Sequence, residues 1–471
     1  MTSHRAPLTG RHFDGPGARP HLRVVRASST LLRGVSALAL ALASFAARAG
    51  DPDAPPSVPA PEERASLHYQ ATVATQGHPT FPALYSGKNS LQPGAESATS
   101  VVMDLFAGAR LWRGADAYFQ PELAGGRGLS STLGVAAFPS GEVYRVGDPT
   151  PTLVVGRAFL RQVIGLGGGT TRVDAGPNQL AGSRDRDALT LTVGKVATSD
   201  FVDRVPFAND PHTQFMSWGL WASAAYDYPA DTRGYTYGAA ADLTVSWWSA
   251  RAGVFLEPKT ANGMELEWDV GKARGLVGEL EGRWEIGGLP GAARVLGFVN
   301  TAHMGNYDAA LALSPASPDV TATRATGRTK SGFAASVNQD LGSGLGVFAR
   351  ASSSDGENES WAFTEIDRSV AAGVVQSGSR WRRPDDEAGA AVVVSGLSDP
   401  HRRYLAAGGY GFIIGDGALR YAPELLGEVY YRAALTREVS VGVNYQPIVH
   451  PAYNADRGPA HVFTGRVHVA F

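Results

Sequence analysis

From about Ser66 to Phe471 the chain repeats one pattern: segments of roughly ten residues in which apolar and polar side chains alternate, set apart by turn residues. Leu189, Leu191 and Val193 share one parity, and Thr190, Thr192 and Gly194 the other. Leu276, Leu280, Trp284 and Ile286 oppose Val277, Glu279, Glu281, Arg283 and Glu285. Near the end, Val429, Tyr431 and Leu435 oppose Glu428, Tyr430 and Arg432, and Val439, Val441, Val443 and Tyr445 oppose Ser440, Asn444 and Gln446. A period of two is the signature of β-strands with one apolar and one polar face.

Period two alone leaves a soluble sandwich open, so segment length and connectivity decide. A membrane-spanning strand needs about 9 to 11 residues, and such barrels join their strands by short turns at one end and longer loops at the other. Short turns are expected at Gly287–Gly291, Leu341–Gly344 and Thr436–Glu438, and longer stretches at Ser352–Ser360 and Arg380–Glu387. Gly165–Gly169 reads as a turn, because it lacks the Lys and following helix of a phosphate loop. About 405 residues at roughly 25 per strand and connection give about sixteen strands, with eighteen as the alternative. The fold expected is an all-β, antiparallel, transmembrane outer-membrane barrel.

The ends support this reading. Arg23, Arg26 and Arg33 precede the apolar run Val35–Ala47, which closes on Ala47-Arg48-Ala49, so residues 1–49 are expected to be a signal peptide. Residues 50–65, rich in proline, form a tether, and residues 66–471 form the barrel domain. At the other end Phe463, Val467, Val469 and Phe471 alternate with Thr464, Arg466 and His468, a closing strand ending on an aromatic. Phe471 is therefore expected to act as a signal to the outer-membrane assembly machinery. Trp218, Trp221, Tyr226, Tyr228, Tyr235, Tyr237, Trp247 and Trp248 fit aromatic girdles at the membrane interfaces.

Composition removes other classes. The chain has no Cys, which excludes disulfide frameworks and thiolate chemistry, and no apolar run long enough for a helical span. Without residues 1–49 it carries 35 basic and 43 acidic residues, so nucleic acid is an improbable partner. His68, His78, His212, His303 and His450 are scattered without metal-ligand spacing, and no catalytic set or cofactor motif emerges.

Ordered motifs resemble the carbohydrate-selective porins of the OprB family. They run from Leu84-Tyr85-Ser86-Gly87-Lys88-Asn89-Ser90-Leu91 and Leu111-Trp112-Arg113-Gly114-Ala115-Asp116-Ala117-Tyr118 to Gly156-Arg157-Ala158-Phe159-Leu160-Arg161-Gln162 and Phe207-Ala208-Asn209-Asp210-Pro211. The resemblance implies a bacterial outer-membrane barrel through which small sugars diffuse passively; some relatives are described as manganese-permeable. Two pore-lining sets follow from strand parity. Arg157, Phe159 and Arg161 combine guanidinium donors with an aromatic face suited to a sugar. Glu279, Glu281, Glu285 and Glu428, relieved by Arg283 and Arg432, form an acidic wall that would favour cations such as Mn²⁺, and Tyr430 on the same polar parity is a further pore-lining candidate. Mono- and disaccharides through a polar constriction are the first expectation, a cation-favouring porin the second, and an outer-membrane hydrolase a distant third. A monomer in the lipid bilayer is expected.

Overall fold

The computed structural model of the protein describes residues 62–144 and 150–471; the expected signal peptide and the tether up to residue 61 lie outside the described residues. Sixteen antiparallel strands close into one barrel in which each strand pairs with its neighbours in sequence and the first with the last. They are β1 (Ala65–His78), β2 (Glu96–Trp112), β3 (Ala115–Gly126), β4 (Thr152–Val173), β5 (Gly182–Val196), β6 (Thr236–Val245), β7 (Trp248–Phe255) and β8 (Arg274–Ile286). The circle continues with β9 (Leu289–Ala302), β10 (Arg328–Asp340), β11 (Leu345–Ser354), β12 (Arg368–Ser377), β13 (Glu387–Gly396), β14 (Glu424–Ala434), β15 (Val439–Val449) and β16 (Ala460–Ala470).

Alternation explains why these segments form a closed sheet in lipid. On β16, Phe463 and Val467 are exposed to the outside while Thr464, Arg466 and His468 are buried within. On β15, Val443 is 62% exposed and Asn444 4%. Apolar outside and polar inside is the reverse of a soluble barrel, and closure leaves no strand edge unpaired in hydrocarbon. Phe471 hydrogen-bonds Tyr69 through both backbone groups, and their rings lie 5.2 Å apart across the closing seam.

Connections at one end are short: 113–114, 174–181, 246–247, 287–288, 341–344, 378–386 and 435–438. At the other end run loop 1 (79–95), loop 2 (127–151), loop 3 (197–235), loop 4 (256–273), loop 5 (303–327), loop 6 (355–367), loop 7 (397–423) and loop 8 (450–459). Short turns mark the periplasmic end of such barrels.

Several local expectations change. Gly165–Gly169 is not a turn but lies within β4, where the register slips twice. Ser352–Ser354 belongs to β11, and the Arg380–Glu387 region sits at the short-turn end rather than among the long loops. Trp218, Tyr226 and Tyr228 are buried in loop 3, not set in a girdle, whereas Tyr237 and Trp247 do face outward. The Glu62–Arg64 end of the tether is docked: the Glu63 N–H donates to the Ala181 carbonyl at 3.0 Å, and Arg110 pairs with Glu62 at 3.1 Å. The apolar core lies inside the barrel, where Phe138, Phe215, Trp361, Phe363, Ile413 and Ile414 from loops 2, 3, 6 and 7 pack together.

Candidate functional site

Loops 2 and 3 are drawn into the lumen because inward carboxylates of the wall accept their backbone N–H groups. On β14, Glu424 accepts from Ala136 and Ala137 of loop 2 at 2.9 and 2.7 Å. Two repeats of the pleat further on, Glu428 accepts from Met216 and Ser217 of loop 3 at 2.8 and 3.0 Å. Ser217 caps the single-turn helix α1 (Trp218–Trp221), so Glu428 holds the start of that turn. On β8, Glu279 accepts from the Asp203 N–H at 2.6 Å, and on β16 Arg466 donates to the Pro211 and Thr213 carbonyls at 2.8 and 2.7 Å. Each bond satisfies a backbone group that the barrel interior would otherwise strand.

Loop 3 thus crosses to the β8–β16 side and leaves a cavity of about 470 Å³ against β1–β4. Gln70, Asp104, Gln120, Glu122 and Arg157 border it from the wall, and Asp200, His212, Trp221, Tyr228 and Arg233 from loop 3. Arg157 reaches in through a bulge: β4 and β3 lose register between Gln120 and Pro121, which keeps Leu153 and Leu160 outward while turning Arg157 in. Gly156 is required there, since a Cβ would stand 2.9 Å from the Tyr235 ring.

The Arg157 guanidinium makes a two-pronged pair with Asp200, both bonds 2.7 Å, donates to Gln120 at 2.6 Å and lies over the Tyr235 ring. Burial would lift the Asp200 carboxyl, but the charge and hydrogen bonds of Arg157 outweigh it and hold it below the ordinary carboxylate range. Tyr235 donates its hydroxyl to Glu122 in a short bond. The same cavity is bordered by an aromatic cluster in which Phe363 contacts Tyr228, Trp218 and Trp221 at ring separations of 4.3, 5.6 and 5.6 Å. His212 sits 2.7 Å from Glu142, and although burial opposes its charge, Glu142 and Asp210 raise the imidazole pKa to about 10.

The structure distributes the sequence-derived candidates among different places. Arg157 borders the cavity. Phe159 points inward and stacks near Tyr118 at 5.0 Å, and Arg161 donates to the Asn178 carbonyl at 3.0 Å, both below Arg157 toward the short-turn end. Glu279, Glu281, Glu428 and Tyr430 are buried under loop 3 or in ion pairs: Glu281 is shared by Arg251, Arg283 and Arg294, and Tyr430 donates to Glu387. Glu285 is exposed near the β8–β9 turn, and Arg432 lies opposite Glu387 near the lower rim. None of the acidic-wall set borders the cavity. Sequence reasoning missed Glu122, Asp200, Tyr235 and Arg233; strand parity could have found Glu122, whereas the other three sit on or beside loop 3, where no period applies.

A closed barrel with an apolar outside, a polar inside and long loops folded into its lumen is an outer-membrane porin: a channel rather than an enzyme. The chain belongs to the carbohydrate-selective porin, OprB family, whose profile matches residues 88–471, and it is accordingly a passive carbohydrate channel of the bacterial outer membrane. The high-pH structure of Pseudomonas putida OprB is similar in fold, with TM-score 0.67, 17% identity, and coverage of 87% of this chain and 94% of that one. The outer membrane channel DcaP of Acinetobacter baumannii is similar at TM-score 0.50 and 10% identity over 87% of this chain and 98% of that one. No curated protein matches the chain by sequence.

Proposed function

We propose that the channel selects its permeants in the cavity between β1–β4 and loop 3, and that these are neutral mono- and disaccharides. The supporting observation is the juxtaposition of planar polar groups, Arg157, Asp200, Glu122 and Arg233, with the Trp221–Tyr228–Phe363 face. A sugar needs both, hydrogen bonds at its rim hydroxyls and an apolar surface for its C–H face. Arg161 and Phe159 extend the polar and aromatic lining toward the periplasm. Asp104, Glu122, Glu142, Asp200, Asp210 and Asp231 outnumber the guanidiniums of Arg157 and Arg233, so ion flow is biased to cations and hydrated Mn²⁺ is the secondary permeant.

The transport unit in this reading is one barrel in lipid, with the closing strand and Phe471 presented to the assembly machinery before the seam with β1 forms. The test is single-channel recording in planar bilayers with glucose titrated, then Mn²⁺. Concentration-dependent block by glucose with weak cation preference supports the reading. Strong cation selectivity without glucose block contradicts it.

A further inference from the structure

The β4–β5 hairpin differs from the other connections at the periplasmic end. Pairing of β4 with β3 stops at Gln162 and pairing of β5 with β6 at Ala188, yet β4 and β5 stay paired as far as Val173 and Gly182. Two register slips interrupt this overrun between Gly165 and Thr170, where Gly167, Gly168 and Gly169 take φ of +97°, +75° and +84°. Only glycine adopts such angles freely, so the Gly-Leu-Gly-Gly-Gly run is a bend.

Beyond the bend the hairpin tip returns under the barrel. Leu180 is buried and its N–H donates to the Tyr118 hydroxyl at 3.3 Å. Glu63 holds Ala181 from below, its N–H donating to the Ala181 carbonyl at 3.0 Å and its carboxylate accepting from the Ala181 N–H at 2.8 Å. Gly176 and Gln179 bond each other both ways at 3.0 Å around a tip made of Pro177 and Asn178, the latter at φ +53°. Pro177 and Asn178 thereby border the same cavity as Arg157 and Arg233.

Asn178 Oδ1 is buried and has no hydrogen-bond partner. Trp221 Nε1 and Arg233 Nε and Nη1, on residues bordering the same cavity, are in the same condition, with the Arg233 guanidinium lying over the Tyr144 ring. Buried polar atoms usually find a partner, and among those left unpaired here the atoms of Asn178, Trp221 and Arg233 belong to residues bordering one cavity. An unpaired acceptor and unpaired donors on one cavity match a molecule whose hydroxyls both donate and accept.

We propose that Asn178 is a specificity-determining contact for a neutral sugar, carried into the cavity by the bent β4–β5 hairpin so that the sugar is held between its side-chain carbonyl and the Trp221–Arg233 edge. The proposal rests on the reading of this cavity as the sugar-selecting site.

The test is glucose block of single-channel current in the reconstituted full-length barrel, comparing wild type, Asn178→Gly and Asn178→Asp. Glycine accepts φ +53° and keeps the turn; aspartate keeps an acceptor oxygen in the same place. The expected result is block weakened about fivefold in Asn178→Gly, with block in Asn178→Asp within about twofold of wild type. Block in Asn178→Gly equal to wild type overturns the proposal, as does equal weakening in both variants. A jump in glucose-free conductance with unchanged block would make the tip a mechanical plug and overturn it too. Wild-type current that glucose leaves untouched would remove the underlying reading of the cavity, and the proposal with it.

Discussion

Glu122 on β3 and Glu428 on β14 are both inward carboxylates of barrel strands, and both are nearly lost to solvent. Glu122 receives a tyrosine hydroxyl and borders open space, while Glu428 receives two backbone N–H groups of loop 3 and is roofed by that loop. The same contrast runs round the lumen. Arg157 of β4 pairs with the Asp200 side chain and leaves a face open to the cavity, whereas Glu279, Glu424, Glu428 and Arg466 of the β8–β16 wall are taken up by loop backbone. Inward charge in a porin strand therefore has two uses, and what separates them is whether a loop side chain or loop backbone meets it.

That contrast breaks most visibly at Glu428. Glu428→Ala strands the Met216 and Ser217 N–H groups at a cost of about 3 kcal/mol or more, so loop 3 should leave the lumen and single-channel conductance should rise several-fold. Conductance equal to wild type would mean that loop 3 is held without it. Next in size, Arg157→Ala should weaken glucose block about tenfold, and Arg157→Lys should restore little, because lysine has charge but not the fork that grips Asp200 and Gln120. Equal block in lysine and wild-type channels would show that charge alone suffices.

A smaller effect is expected from pH. His212 gains its stabilisation as an imidazolium beside Glu142, with a pKa raised from the usual 6.5 to about 10. Its contribution is full below about pH 6.5 and is lost as pH rises through about 10. Current noise should stay level from about pH 6 to 8 and grow near 10, and His212→Gln should remove the step. The smallest change in sugar binding is predicted for Glu281→Gln on the anchoring wall, because its carboxylate is shared by three arginines away from the cavity: glucose block should stay within about twofold of wild type.

The fold was legible because a barrel in lipid writes its geometry into every strand. Leu276 against Glu279, Val443 against Asn444 and Phe463 against Thr464 each fix a face, and Thr436–Glu438 marks its turn without ambiguity. The site was legible only in part. Arg157 was found by parity within a family motif, but the bulge that aims it, and the loop that brings Asp200 to meet it, leave no periodic trace. The girdle reading of Trp218, Tyr226 and Tyr228 failed for the same reason: loop aromatics that fold into the lumen have the composition of an interface and the burial of a core. Glu428 was placed on the correct face, yet nothing in β14 announces the loop N–H groups it receives.

The central claim is that sugars are selected on the β1–β4 side of the lumen and not by the acidic residues of the opposite wall. Its most direct test is the glucose-block constant of Arg233→Ala and Glu281→Gln channels recorded under identical salt and voltage. Block should weaken about tenfold in Arg233→Ala and change less than about twofold in Glu281→Gln. Block lost in Glu281→Gln and preserved in Arg233→Ala would contradict it.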